Sequence, residues 1–436
     1  PDIISHSWLL LEGPIGYIGD QLIENTYGTM QKKPQQSWTV AQGWAALNEK
    51  YWLTSVIPQQ GEQLSFRMTY TGVPPKKGDK DLGRYQIDFT GAEKTIAPGQ
   101  SASTENKIFV GAKQVLLLED YAKKLGIPHF DLAVNFGWFW FLAKPFFYAL
   151  HFMGHTIGNF GFAIIMLTIL IRSAVFPLTN TSYRSFAKLK KVSPQIAALR
   201  AQHGNDKAAL QKELVKLYEK EGVNPMAGCI PVLLQIPIFF ALYKVLFVTI
   251  EMRHAPFIGW IHDLSAKDPT AIYNLFGLLP YAVPETIPIP VIGGILHGII
   301  SIGVWPCLML VMMIIQKNLN PPPQDPVQRD MATYFPFFIT YVMSQFAAGL
   351  VIYWTFSALI TILQQIIIMK SLGVPVHLFG ETKEEEKLKE AIDKGPAVHP
   401  LAEMAEHRVE EALFGDEPET PPRPISPPRR KPKKKK

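Results

Sequence analysis

FAIIMLTILIRSAVFPL, residues Phe162 to Leu178, is apolar enough to enter a bilayer, yet Arg172 stands inside it. The stretch approaches the roughly 20 residues that carry a helix across about 30 Å of hydrocarbon. A charged residue in such a helix costs about 2.5 to 3.5 kcal/mol on insertion scales, so the cation must face water, meet a partner or reach the surface. Arg172 lies six residues before Leu178, about 9 Å at the helical rise, which makes snorkelling one reading. Thr168, four residues earlier and on the same helical face, favours another: a polar face inside the membrane.

Working outward, the apolar residues of the 436-residue chain are bunched into runs, while the mean hydropathy is only +0.08. A mixed chain follows, part membrane and part water-soluble. Five spans are expected: Gly158 to Leu178, Gly228 to Ile250, Gly303 to Leu319, Met331 to Phe346 and Gly349 to Met369. The fourth is short, implying local thinning or irregular ends. The apolar segment from Tyr273 to Ile302 is broken by PYAVPETIPIP and is expected in a loop or against the interface.

Charge sets the orientation. Residues 179–226 contain nine Lys or Arg and residues 251–302 only Arg253 and Lys267, so the first connection is expected in the cytoplasm. Five spans then place the front of the chain outside and the C-terminus inside. Within the basic connection, SYRSFAKLKKVSPQIAALRAQHG and DKAALQKELVKLYEKEGVNP read as a helical hairpin, with HGND as its turn and Asn224-Pro225 as its end. A hairpin of this charge suits a docking platform better than a linker.

Other spans also carry polar residues. Gln235 interrupts CIPVLLQIPIFF, and Tyr353, Ser357, Thr361 and Gln364 form one stripe on the last span, whereas no acidic residue lies inside any span. Several polar faces around an unneutralised arginine suggest a water-filled groove that attracts acidic peptide. Met309, Met312 and Met313 are expected to be ordinary packing residues.

The front of the chain, residues 1–133, alternates with period two. Leu64, Phe66, Met68 and Tyr70, then Tyr85, Ile87 and Phe89, predict strands with one buried face, and the turn-rich clusters between them suit an antiparallel sandwich. KQVLLLEDYAKKLG predicts a helix ending near Gly126. Residues 134–157 crowd Trp138, Trp140, Phe141, Phe146, Phe147 and Tyr148 around Lys144-Pro145 and read as an interfacial helix. No glycine-rich phosphate loop, HExxH or GxSxG occurs, and His6 and His129 read as surface or packing residues. Cys229 and Cys307 lie in apolar runs, without the spacing of a zinc or redox site. The chain opens Pro1-Asp2, so a preceding part is expected to have been removed or left out.

The tail, residues 371–436, has charged helical stretches and a proline-rich part expected to be disordered. It ends in Arg429, Arg430, Lys431, Lys433, Lys434, Lys435 and Lys436, suited to ribosomal RNA phosphates or to anionic lipids.

Taken together, GFAIIMLTILIRSAVFPL, NPMAGCIPVLLQIPIFFALYKVL, RHAPFIGWIHDLSAKDP, DPVQRDMATYFPFFIT and GLVIYWTFSALITILQQ resemble the YidC/Oxa/Alb membrane protein insertases in their bacterial form. The resemblance covers about residues 109–370. The front is similar to the end of a larger periplasmic β-sandwich domain, and the chain departs from the compact pattern by the insertion at 273–302 and by the C-terminal extension. The resemblance implies an α-helical polytopic membrane protein. Its five-helix core would fill residues 158–370 and include the cytoplasmic hairpin 179–226, behind a β-sandwich portion. It implies an insertase and chaperone for nascent inner-membrane proteins, alone or with the Sec translocon, without a cofactor, a metal or catalytic residues. Arg172 would draw acidic flanks into a groove lined by Thr168, Gln235, Tyr353, Trp354 and Ser357, and the apolar segment would leave along Phe239. An anion channel or solute transporter is the alternative, although it predicts matching broken helices in two halves, and no such internal symmetry is evident.

Overall fold

Alternation builds the front end. In the computed structural model, which describes residues 11–72, 83–203, 206–222, 230–280, 292–320, 326–374, 376 and 378, β6 (Leu64–Thr71) buries every second side chain. It pairs with β7 (Arg84–Thr90) so that Phe66 faces Phe89, Met68 faces Ile87 and Tyr70 faces Tyr85. With β3 (Gln35–Val40) these strands form one antiparallel sheet, ordered β3-β6-β7. The second sheet runs β2-β1-β4-β5-β8, from β1 (Gly13–Ile18), β2 (Gln21–Glu24), β4 (Gly43–Asn48), β5 (Trp52–Ile57) and β8 (Lys107–Ala112). The short α1 (Tyr27–Lys32) is capped by the Thr26 hydroxyl.

The middle of the five-stranded sheet, β1 and β4, is buried on both faces. One face gives Ile18 and Ala45 to a core with Leu64, Phe66 and Met68 of the other sheet. The opposite face gives Ile15, Trp44 and Leu53 to a core with α2 (Val115–Lys124) and the turn Phe130–Ala133. Trp44 Nε1 donates to the Pro128 carbonyl at 2.8 Å, and the His129 ring packs at a tilt against Tyr17 with ring centroids 4.7 Å apart. That second core does not stop at residue 133. Through Val134, Phe136 and Phe147 it runs without a break into the helices that follow.

Helix α3 (Trp140–Ile157) has two faces. Ala143, Phe147, Leu150 and Gly154 are buried at helical spacing, while Trp140, Phe141 and Phe152 are exposed. Lys144 ties it to the front end through Asp131 at 2.8 Å, and Tyr148 donates to Glu119.

Helix α4 (Phe160–His203) contains both the first apolar run and the first arm of the hairpin as one continuous 44-residue helix. Hydropathy changes at Leu178 but the backbone does not, because a helix satisfies its own hydrogen bonds in lipid and in water alike. Its start is capped by Asn159, whose Oδ1 accepts from Gly161 N at 2.9 Å and Phe162 N at 3.2 Å. The second arm, α5 (Lys207–Glu221), opens on Asp206, which accepts from Ala208 and Ala209, and ends at Gly222 with φ +58°. The arms pack through Val192, Ile196, Leu199 and Leu217. Lys190 Nζ fixes the hairpin to the bundle by donating to the Asn318 carbonyl at 2.8 Å.

The remaining helices are α6 (Ile230–Val248), α7 (Ile292–Ile300), α8 (Val304–Leu319), α9 (Pro326–Met343) and α10 (Ala348–Ser371). By length and composition α4 and α10 can cross a membrane, and Leu233–Val248 and Val304–Leu319 are shorter apolar helices. The loop after α6 packs over one end of the bundle: Phe257 lies against Gly161, and the Leu264 and Ala266 carbonyls accept from Gly349 N and Ala348 N at 2.9 and 2.7 Å. Part of the 273–302 segment is helical, including the 3-10 stretch Ile272–Gly277 and α7. PYAVPETIPIP from residue 281 on, Gly204-Asn205, Asn224-Pro225, Cys229, His6 and the basic residues Arg429 to Lys436 lie outside the described residues.

Candidate functional site

Four of the seven candidate groove residues come together where α4, α6 and α10 meet. Arg172 is half-buried on α4 and directs Nε to the Ser357 hydroxyl on α10 at 3.0 Å, with Nη2 donating to the same oxygen. One turn earlier on α10, the Tyr353 hydroxyl accepts from Gln235 Nε2 at 2.8 Å, and the Tyr353 ring is 2% exposed. Among the described residues no carboxylate lies within ion-pair distance of Arg172. Its charge is oriented by a hydroxyl and carries no ion pair among the described residues.

Phe239 and Trp354 form the next layer, ring centroids 5.0 Å apart and edge to face. Phe239 in turn stacks on Tyr243 at 6.3 Å, and Tyr243 meets Phe346 at 5.8 Å. Gln235, Phe239, Tyr243 and Phe247 therefore make one stripe on α6, polar at one end and aromatic over about two turns. Tyr243 and Phe247 escaped the sequence reading, although their spacing of four was there to find. The loop over the far end completes the closure: Asn159 Nδ2 donates to the Phe257 carbonyl at 2.9 Å.

Thr168 stands apart from this network. It is 1% exposed and gives its hydroxyl to the Ile164 carbonyl of its own helix at 2.6 Å, the usual solution for a threonine in an apolar helix.

Towards the hairpin the lining turns polar. Thr179, Ser182 and Tyr183 of α4 and Thr361 and Gln365 of α10 are buried. Gln365 donates to the Asn320 side chain at 2.9 Å, whereas Gln364 is half-exposed, so the buried stripe of α10 runs Tyr353, Ser357, Thr361, Gln365. Residues 361 to 364 and 361 to 365 fall on nearly the same helical face, and Asn320 selects the second. Ser182 Oγ and Gln365 Oε1 are buried without a hydrogen-bond partner, sites where water is expected to bind. Met309 is fully buried in the core, with Met312 and Met313 partly buried. Such an arrangement can hold an anionic or polar side chain by charge and hydrogen bonding; among the described residues no group of three His, Cys, Asp or Glu could hold a metal ion.

Comparison with known proteins bears on both halves of the chain. The profile of the family described as "60Kd inner membrane protein" matches residues 152–374, and that of the "YidC periplasmic domain" matches residues 2–149. A protein of Brucella melitensis named "Membrane protein insertase YidC" is 43% identical over 385 residues, which cover 88% of this chain and 60% of that protein. The protein of the same name from Beijerinckia indica is 45% identical over 374 residues, covering 85% and 60%. A crystal structure of an active YidC insertase with its first transmembrane domain resolved aligns at TM-score 0.41 and 17% identity, over 76% of this chain and 78% of that one. The chain thus spans about 60% of the length of these curated relatives. With the helical core matched by one profile and the β-rich front by the other, this chain belongs to the YidC family of inner membrane proteins.

Proposed function

We propose that this chain is the insertase part of its protein, admitting nascent inner-membrane proteins to the bilayer through a groove centred on Arg172. The observation that carries the reading is the state of that arginine: half-buried among apolar helices, oriented by Ser357, and without a carboxylate partner among the described residues. A cation so placed attracts an acidic flank, and moderate burial strengthens the attraction relative to bulk water. Gln235, Tyr353 and Ser357 supply further hydrogen-bonding groups, while the Phe239–Trp354 layer and the loop around Phe257 close the far side. Once captured, an apolar segment gains about 1.5 to 3 kcal/mol for each large side chain moved from water into lipid, which drives insertion without nucleotide hydrolysis.

In this reading α4, α6, α8, α9 and α10 are the five spans, the loop after α6 faces the periplasm, and the basic hairpin and tail are cytoplasmic. Residues 1–133 are the end of the periplasmic domain, 134–157 the interfacial helix, 158–370 the insertase core and 371–436 the basic tail. The hairpin and the tail meet the ribosome, with ribosomal RNA phosphates and anionic lipids as the ligands of Arg429 to Lys436. The chain acts alone or with the Sec translocon as partner.

Reconstitution in liposomes tests the core of this proposal. Wild type inserts a small single-span substrate with a short acidic external flank, and Arg172→Ala loses that insertion while a substrate with a neutral flank is affected less. Equal insertion by both proteins of the acidic-flank substrate would reduce Arg172 to a snorkelling anchor.

A further inference from the structure

The segment between the loop after α6 and the start of α8 makes an excursion whose two ends are pinned together. Ile272 N donates to the Ile302 carbonyl at 2.9 Å, and Asp268 and Thr270 cap α8 by accepting from Trp305 N and Val304 N, each at 2.9 Å. The described parts next to both pins, the 3-10 stretch and α7, are therefore held at one end of the bundle. It is almost free of charge: from Tyr273 to Ile302 the only Asp, Glu, Lys or Arg is Glu285.

Both described parts of the excursion turn large apolar side chains outward. In the 3-10 stretch Leu275 and Phe276 are held in the left-handed region, at φ +46° and +59°, which non-glycine residues seldom adopt. Tyr273, Leu275 and Leu278 are exposed, Leu278 by 83%. Helix α7 exposes Ile295 and Ile299 while Gly298 is buried against α9, so close that a Cβ there would meet the Tyr341 ring at 2.5 Å. Helix α7 thus adjoins the Tyr341 end of α9, which itself exposes Tyr334, Phe337 and Phe338 along its length.

Length says what this surface meets. Helix α8 has 16 residues, about 24 Å at the helical rise against about 30 Å of hydrocarbon. The run of α9 free of charge starts only after Asp330 and ends with the helix at Met343, so both helices fall short. Helix α7, with nine residues, cannot cross a membrane itself, yet it lies where the two short helices end. From this geometry we infer that the 3-10 stretch and α7 form an apolar wedge in the periplasmic leaflet, filling with lipid contact the height that α8 and α9 do not reach. The inference rests on the reading of α8 and α9 as spans. Lipid is the occupant favoured over a partner protein because the patch is uncharged and continuous with the exposed apolar side of α9.

The full chain, with Cys229→Ser and Cys307→Ser, would be labelled with bimane at Leu278→Cys, Ile295→Cys or Phe338→Cys and reconstituted in vesicles of phosphatidylethanolamine and phosphatidylglycerol. Two quenchers are compared, a lipid carrying a shallow nitroxide and aqueous iodide. Labels at Leu278→Cys and Ile295→Cys should lose as much fluorescence to the lipid quencher as the one at Phe338→Cys, and little to iodide. Quenching of both by iodide alone would place the excursion in water, and quenching by neither would place it under protein; each overturns the wedge. Failure of the lipid quencher at Phe338→Cys as well would overturn the spanning reading of α9 itself, which separates the two failures.

Discussion

The Arg172 guanidinium and the Ser357 hydroxyl meet across 185 positions of sequence, with two N–H groups of one side chain on the single oxygen of the other. A hydroxyl oxygen has two lone pairs and can accept both, but it carries no charge to neutralise the cation. Position and charge are thereby separable: Ser357 aims Arg172, and Arg172 alone supplies the field.

That separation predicts an order among variants. Arg172→Ala should lower insertion of an acidic-flank substrate by at least roughly tenfold, the equivalent of about 1.4 kcal/mol. Arg172→Lys should keep most of the activity, since charge rather than a planar fork is required. Ser357→Ala should fall between wild type and Arg172→Ala. Initial insertion rates in liposomes give the ranking, and a Lys variant as poor as Ala would contradict it.

Tyr353 offers a paired test of packing and hydrogen bonding. Tyr353→Phe removes the hydroxyl that accepts from Gln235 Nε2 and keeps the ring, and should cost about 1 kcal/mol. Tyr353→Ala, at a position 2% exposed, leaves a cavity and should cost about 3 to 5 kcal/mol. Thermal unfolding in detergent would show the difference, with a much larger fall in Tm for the alanine variant.

Gly161 is needed where α4 meets the closing loop. A Cβ there would lie 2.0 Å from the Phe257 ring, so Gly161→Ala should destabilise by about 1 to 3 kcal/mol through overpacking. Adding Phe257→Ala should recover part of the Tm lost to Gly161→Ala, a coupling that unrelated sites would not show.

A pH dependence is expected from the front end. Lys113 donates to the Asn48 side chain at 2.7 Å but is 5% exposed, and burial pushes its ammonium down to about 7, with nearby Lys244 adding to the effect and Glu12 and Glu49 opposing it. Its folded value lies below the unfolded one near 10.4, so between those values the unfolded chain binds more protons. Stability should therefore rise with pH across that window, and the penalty should be complete below about pH 7. The difference in Tm between wild type and Lys113→Met, followed from pH 7 to 10, isolates this group: the variant should be the more stable at neutral pH, and the gap should narrow as pH rises.

Local pattern was the part of this molecule that sequence exposed best. The alternation from Leu64 to Tyr70 reports a pleated, one-sided strand, and the stripe from Tyr353 to Thr361 reports a helix face, because both follow from backbone period alone. Continuity of α4 past Leu178 was hidden because hydropathy reports the surrounding solvent rather than the backbone. Choosing Gln365 over Gln364 needed the position of Asn320, 45 residues away. The pairings Arg172–Ser357 and Gln235–Tyr353 are likewise properties of the assembled bundle, whereas the residue types involved were already conspicuous as polar interruptions of apolar runs.

The unbroken core that runs from Trp44 through Phe130, Phe136 and Phe147 to Leu242 and Leu246 of α6 has a consequence for how this protein is itself made. On a growing chain Trp44 emerges some 200 residues before Leu246, so the sheet can close on α2 and the turn Phe130–Ala133 first, and the core reaches its full extent only when α6 has been synthesised and packed. Lys50, poised 4.1 Å over the Phe247 ring, closes the same seam. The last part of that core is therefore supplied by a helix from the second half of the chain, made only after every strand of the β-sheet domain.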